Sequence, residues 1–454
     1  MNAPARVCFL PSKAPTWPEM ADLAGLLALE GWARPLMLLA GARGQAYLPD
    51  CQARGLDHLL LEDAPREPPP GLARRAWHKL LLSARGPAAC LEPLAQPLEL
   101  VLAHQEGLLA QALDDLRPAA VITADERLFN WELPLIGLCR RRGIPVIVPP
   151  VSFLADRESL LPFRHGPLHQ AGDFPDLARR HPQQAAQVSL DQAHQAGVLF
   201  YPAPMTLALD RRGLLPERPW LPGGGGADLL LLDGQLTLER CLAAGASPEK
   251  LLVSGQLSHD QLHARYLEGR AIKAAEGPEV PRRLVLSLPQ LAEQGSLGWD
   301  EHWQEIRFLV QALAGLPCQS LLSLHPKMER AQYRFLEDDY GLVLADRPLA
   351  QVLPQAHVFA ASYSSTVAWA ALCRIPALVF DFYGLDFQMY DDWTGVRLVK
   401  RRQDLAPELT RLLSDRAYYA DLEAQQARWA ARLAPFDGLS GQRILAAIRQ
   451  RAEL

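Results

Sequence analysis

The apolar and polar positions of this chain follow two different periods. Short, continuous apolar runs recur at residues 6–10, 35–39, 57–61, 119–123 and 145–148, and again at 227–232 and 250–253. Such runs lack the alternation of a strand with one wet face, and they predict strands covered on both sides, as in a parallel sheet. Between them lie longer stretches with apolar residues three and four apart, for example 91–116 and 131–142, which predict helices. A second series of runs follows at 283–288, 320–324, 342–344, 357–361 and 377–380, and residues 404–454 are helical in pattern almost throughout. Strand and helix in alternation predict a doubly wound α/β fold. The two series divide the chain into domains at 1–255 and 256–454, joined near 255–282.

Length agrees with that division, because 454 residues hold two or three domains of about 150 residues each. The composition, 49% hydrophobic and 21% charged, is that of a globular protein and excludes a fibrous or disordered one. Forty-six basic against 51 acidic side chains leave a net charge of −5, which speaks against nucleic acid as a partner. The seven cysteines (8, 51, 90, 139, 241, 318 and 373) stand singly, so reduced thiols are expected, not a disulfide framework or a zinc ribbon. The opening MNAPARVCFLPSKAP has no charged segment leading into an apolar one, so no signal peptide is expected. No apolar run approaches the ~18 residues that cross a bilayer. A cytoplasmic location is expected, and peripheral contact with the inner face of the cytoplasmic membrane is a second expectation. The basic cluster Arg140, Arg141 and Arg142 would serve such contact, or would simply answer the dipole at a helix end.

In open parallel sheets, ligands bind beyond the carboxyl ends of the strands, and with two such domains face to face the cleft between them is the expected site. Polar residues just after predicted strands are therefore the candidates. His325-Pro326-Lys327 follows the run 320–324, which makes His325 the last strand residue and Pro326 part of a helical first turn. An imidazole there can donate to a phosphate oxygen while Lys327 adds charge, or it can cap the helix. Ser362-Tyr363-Ser364-Ser365-Thr366 follows 357–361; its hydroxyls suit an N-cap and a phosphate equally, and the two roles are compatible. Asp125-Glu126 follows 119–123, either as a general base for an acceptor hydroxyl or as the acidic first turn of the next helix. Asp233 is a weaker candidate of the same kind. The glycine run 223–226 is followed by no Gly-Lys-Ser/Thr and is expected to be a surface loop, and Gly41 with Gly44 forms a turn without a dinucleotide fingerprint. Metal ligands are not expected, since there is neither an Asp-x-Asp triplet nor a His-Glu-x-x-His helix. Asp338-Asp339 and Asp391-Asp392 are expected to be solvated surface acids. No G-x-S-x-G elbow marks a hydrolase.

The motifs SLHPKM (His325, Pro326) and ASYSST (Ser364, Ser365, Thr366), 39 residues apart from His325 to Ser364 with two strand-and-helix steps between them, resemble those of bacterial CMP-ulosonic acid transferases, the sialyltransferase and Kdo transferase type. The stretch LLLLDGQLTLERCLAAGASPEKLLVSGQLSHD at 229–260 also looks like the inter-domain passage of many GT-B enzymes. The resemblance implies a GT-B fold: two Rossmann-like doubly wound domains facing across a cleft, the first for the acceptor and the second for the nucleotide sugar. It implies inverting, metal-independent transfer of an ulosonic acid (sialic acid-like, Kdo, legionaminic or pseudaminic type) from a CMP-sugar to a hydroxyl of a cell-surface glycan or glycoprotein. No cofactor or metal is required beyond that donor substrate. In this reading His325 donates to the leaving phosphate, which Ser364, Ser365 and Thr366 bind with Pro326 and Lys327 nearby, and Asp125 or Glu126 takes the acceptor proton. Ser287 and Gln290 would line the donor site, and Asp346 would approach the base or ribose. The sialyltransferase acid pair is followed by Gly, whereas Arg127 follows here. The Ser-Ser stretch is also similar to that of CDP-glycerol glycerophosphotransferases, so a CDP-polyol phosphotransferase, a UDP-sugar transferase or epimerase, and a non-catalytic GT-B-like subunit of a glycan assembly complex are the alternatives.

Overall fold

The computed structural model describes residues 4–11, 16–63, 86–151, 154, 157–161, 164, 166–189, 195–277, 280–362, 364–384 and 393–453. Tyr363 and the Asp391-Asp392 pair lie outside the described residues. The chain forms two compact units, Met1–Leu257 with Gly441–Leu454, and Ser258–Ser440.

The first unit is built on strands β1 (Ala5–Leu10), β2 (Ala33–Ala40), β3 (His58–Leu61), β4 (Ala120–Thr123) and β5 (Val146–Val148). An antiparallel hairpin, β6 (Ala185–Ser189) and β7 (Gln195–Leu199), follows, and β8 (Leu229–Leu232) and β9 (Leu251–Val253) complete the set. Apart from the hairpin they make one parallel sheet in the order β3-β2-β1-β4-β5-β8-β9. Successive residues of β1 feed opposite faces: Val7 and Phe9 join one core cluster, Cys8 and Leu10 the other. With both faces apolar the strand has no wet side, which is why its sequence does not alternate. Gly44 is the first-turn residue that lets helix Gly41–Ala53 touch β2, since a Cβ there would stand 2.2 Å from the carbonyl carbon of Leu39. The expected turn at Gly41 and Gly44 is thus the start of a helix, with Asp63 accepting the Ala42 N–H at 3.0 Å.

The second unit has strands β10 (Arg283–Ser287), β11 (Gln319–Ser323), β12 (Val343–Leu344), β13 (Val358–Ala361), β14 (Ala377–Phe380) and β15 (Val396–Val399), all parallel in the order β12-β11-β10-β13-β14-β15. One face is filled by Leu284, Leu286, Leu322, Val358, Ala360 and Phe380 against helix Trp299–Ala314 and helix Leu405–Ser414. The last helix, Ser440–Arg451, belongs to the core of the first unit: Ile444, Leu445, Ala447 and Ile448 pack with Met20 and Leu27. Residues 441–454 therefore leave the second domain in which the sequence places them. The seven cysteines carry no disulfide, six of them buried and Cys318 partly so. Among the described residues no helix is long and apolar enough to cross a membrane.

Candidate functional site

Strand order in the second unit runs outward in both directions from β10 and β13, which makes the gap between their carboxyl ends the topological switch point. Register fixes what gathers there. Ser287, the last residue of β10, pairs with Ser323 of β11 on one side and Ala361 of β13 on the other. The segments that leave these ends carry Gln290, His325-Pro326-Lys327 and Ser364-Ser365-Thr366, so the residues singled out from sequence emerge along one sheet edge. Asp346 stands farther out, beyond β12, with its side chain 85% exposed and 3.6 Å from Arg347.

His325 does not open a helix. Residues 325–328 form a turn in which the Met328 N–H donates to the His325 carbonyl at 2.8 Å, while Met328 is buried. The expected helix is displaced because the imidazole closes the turn itself: the Lys327 N–H donates to Nδ1 at 3.1 Å. With Nδ1 accepting, the neutral ring carries its proton on Nε2 and presents that N–H as a donor. Burial, with the Lys327 charge, holds the imidazole below its usual pKa, against the opposing pull of Glu293, so the neutral form is favoured. Pro326 and Lys327 are exposed.

Behind this turn stands a polar chain that sequence patterning did not single out. The Tyr333 hydroxyl donates to Glu293 Oε1 at 2.5 Å, and His302 Nε2 lies 2.7 Å from the same hydroxyl. His302 and Tyr333 are fully buried. Glu293 Oε2 and, in the same loop, Gln290 Oε1 are buried with no hydrogen-bond partner among the described residues. A buried acceptor left over is costly unless something completes it. No spacing rule links residues 293, 302 and 333; only the fold brings them together.

Hydroxyls cluster at the end of β13. Ser364 Oγ accepts the Thr366 N–H at 3.3 Å and lies 2.8 Å from Thr366 Oγ1, and Ser365 is exposed. The helix that follows is short, Val367–Leu372, with no side-chain bond at its N-cap, so the capping expected of these hydroxyls is spent within the turn.

In the first unit, Asp125 and Glu126 leave β4 in a loop, and the next helix begins only at Glu132, so neither acid belongs to a helical first turn. Their environments differ sharply. Asp125 is partly exposed, and its Oδ1 accepts the Arg127 N–H at 2.7 Å, which fixes the carboxylate over its own turn. Glu126 is 2% exposed and turned inward. Its Oε1 accepts the Gly223 N–H at 2.5 Å, its Oε2 the Ala227 N–H at 3.3 Å, and burial raises its pKa. The glycine run is thus not the expected surface loop: it is partly to fully buried and wraps this carboxyl, and a Cβ on Gly225 would lie 2.3 Å from the Glu126 carbonyl oxygen. Arg127 is buried as well, donating to the Pro219 carbonyl at 3.3 Å and accepting the Tyr201 hydroxyl on its own carbonyl at 2.5 Å. Glu126 therefore serves as an anchor for residues 223–227, and Asp125 is the acid of the pair left at the surface. Asp233, beyond β8, is half-buried with one buried oxygen that lacks a hydrogen-bond partner among the described residues. The basic cluster is taken up in ion pairs: Arg140 with Glu217 at 3.7 Å, Arg141 with Glu106 at 2.7 Å and Arg142 with Asp114 at 2.9 Å. Among the described residues no three His, Cys, Asp or Glu side chains come together as a metal cage.

No protein-family model and no curated protein sequence matches the chain. Solved structures do match in fold. UDP-GlcNAc 2-epimerase from Neisseria meningitidis bound to UDP-GlcNAc is 10% identical, with 98% of this chain and 100% of that one covered at a TM-score of 0.56. The glycotransferase of kitacinnamycin is 14% identical, covered 99% in both directions, also at 0.56. A further UDP-N-acetylglucosamine 2-epimerase is 12% identical over 99% and 96%, at 0.55. Likeness at such identities is one of fold. With the two parallel sheets it establishes an α/β chain of GT-B fold.

Proposed function

We propose that the protein is a glycosyltransferase that takes its sugar from a nucleotide donor held at the strand-end site of the second unit. The observation that carries this reading is the placement, just beyond the carboxyl ends of β11 and β13 on either side of β10, of an imidazole donor at His325 and the hydroxyls of Ser364, Ser365 and Thr366. As the bond between the anomeric carbon and the phosphate oxygen breaks, negative charge builds on that phosphate. Preorganised N–H and O–H donors answer it and favour the transition state. Ser287 and Gln290 border the donor, and Lys327 adds positive charge at the mouth. Asp125 takes the proton of the acceptor hydroxyl as its oxygen bonds to the anomeric carbon. Glu293, held by Tyr333, lies near enough to His325 for its charge to favour the protonated imidazole.

The finer reading is a CMP-ulosonate as donor and a cell-surface glycan or glycoprotein hydroxyl as acceptor, supported by the SLHPKM and ASYSST motifs. A single leaving phosphate, met by one imidazole and three hydroxyls, calls for no metal. A UDP-sugar is the second reading, favoured by the full-length likeness to an epimerase bound to UDP-GlcNAc. The test is nucleotide release from CMP-ulosonates and from UDP-GlcNAc without added metal. Release of CMP that falls at least a hundredfold in His325→Ala supports the first reading. Release of UDP moves the donor to the second. No release of either, or an unchanged His325→Ala, removes the catalytic role.

A further inference from the structure

The second unit holds a cavity of about 570 Å³ away from the strand-end site, lined from helix Leu257–Ala275, the start of β13, the residues after helix Val367–Leu372, and helix Arg416–Leu433. Its volume is that of a small-molecule site. Arg270, Lys273 and Arg374 line it, with Glu423 the one carboxylate among the lining residues. None of the three cations has an ion-pair partner among the described residues. Arg270 lies over the Tyr266 ring at 5.7 Å, and Lys273 Nζ donates only to the Ala356 carbonyl at 3.0 Å.

Glu423 and Glu276 act on Lys273 as nearby charges without forming an ion pair with it. Glu276 is engaged by Arg283 and lies 3.7 Å from His357. His357 Nδ1 accepts the Arg283 N–H at 3.1 Å, and burial with the nearby cations depresses its pKa to about 4, so it is uncharged at neutral pH. Burial also disfavours the charged form of Lys273. A half-buried ammonium with no direct ion pair, on a cavity wall that also carries the exposed Arg270 and Arg374, is a state that an anion would relieve. Arg374 closes helix Val367–Leu372 at φ 54°, in the left-handed region that a glycine adopts without strain, with its N–H donating to the Ala371 carbonyl at 2.9 Å.

We propose that this cavity binds a small phosphorylated metabolite, its phosphoryl oxygens taken by Lys273, Arg270 and Arg374. The site is separate from the strand-end residues and does not depend on their role. The experiment is calorimetric titration of the full chain with inorganic pyrophosphate at constant ionic strength, using wild type, Lys273→Met, Lys273→Arg and Arg374→Gly. Glycine suits the backbone at 374, so Arg374→Gly removes the cation without penalty to the fold, and its melting temperature verifies that. A saturable component that weakens at least tenfold in Lys273→Met and in Arg374→Gly, and persists in Lys273→Arg, is the expected result. No saturable component in wild type, or one that neither substitution changes, overturns the proposal.

Discussion

Replacing Glu126 by Gln separates an anchoring carboxyl from a catalytic one. The side chain keeps its length, but an amide offers only one oxygen where the loop presents two donors, the N–H groups of Gly223 and Ala227. One of these N–H groups must then face an NH2 group in a site that is 2% exposed. Leaving one buried donor unmet costs about 1–3 kcal/mol. In a unit of this size that corresponds to a fall in melting temperature of roughly 2–10 °C. The local signature is sharper, because the amides of Gly223 and Ala227 lose the same free energy of protection and exchange roughly 5- to 150-fold faster. Hydrogen exchange read by mass spectrometry over residues 223–227, alongside the melting curve, measures both. Unchanged exchange and unchanged melting, together with lost turnover, would refute the anchoring role and return Glu126 to the chemistry.

Acid should destabilise the protein through His357. Its imidazole titrates near 6.5 when unfolded and at about 4 when folded, so between those values the unfolded chain binds the proton and the native one does not. Stability therefore falls as pH drops through that window, by roughly 3 kcal/mol in all, and His357→Asn should flatten the curve measured by urea unfolding. An identical acid slope in the variant contradicts this. Ser364→Ala with Ser365→Ala should weaken nucleotide binding while costing no more than ~1 kcal/mol of stability; full affinity in the double variant moves the phosphate elsewhere. Asp125→Asn should leave nucleotide affinity intact and abolish transfer, and unchanged transfer would shift the base toward Asp233.

Strand positions were legible because parallel strands buried on both faces leave continuous apolar runs. Every run from 6–10 to 377–380 coincides with a strand to within two residues. What escaped lacks that signal. Strand β15 reads VRLV, with Arg397 exposed at a sheet edge, and the hairpin β6–β7 carries mixed polar residues. The C-terminal helix was readable as a helix, but its docking with Met20 and Leu27 is a long-range contact that local pattern does not encode. At the candidate site, the strand-end rule put His325 and the hydroxyls of 364–366 just beyond strands, and they follow β11 and β13. It could not find Glu293, whose importance comes from Tyr333 forty residues later, nor foresee that the glycine run 223–226 closes around Glu126. Those links are tertiary hydrogen bonds between segments far apart in sequence, invisible to spacing.

The most direct test of a nucleotide site at the strand ends of β10, β11 and β13 is calorimetric titration with CMP, CDP and UDP, without metal, on wild type and His325→Ala. Selective binding of one nucleotide that weakens at least tenfold in His325→Ala is the expected result, with CMP selecting the ulosonate donor and UDP the alternative. Absence of binding by all three, or equal affinity in the variant, would contradict the assignment of this edge as the donor site.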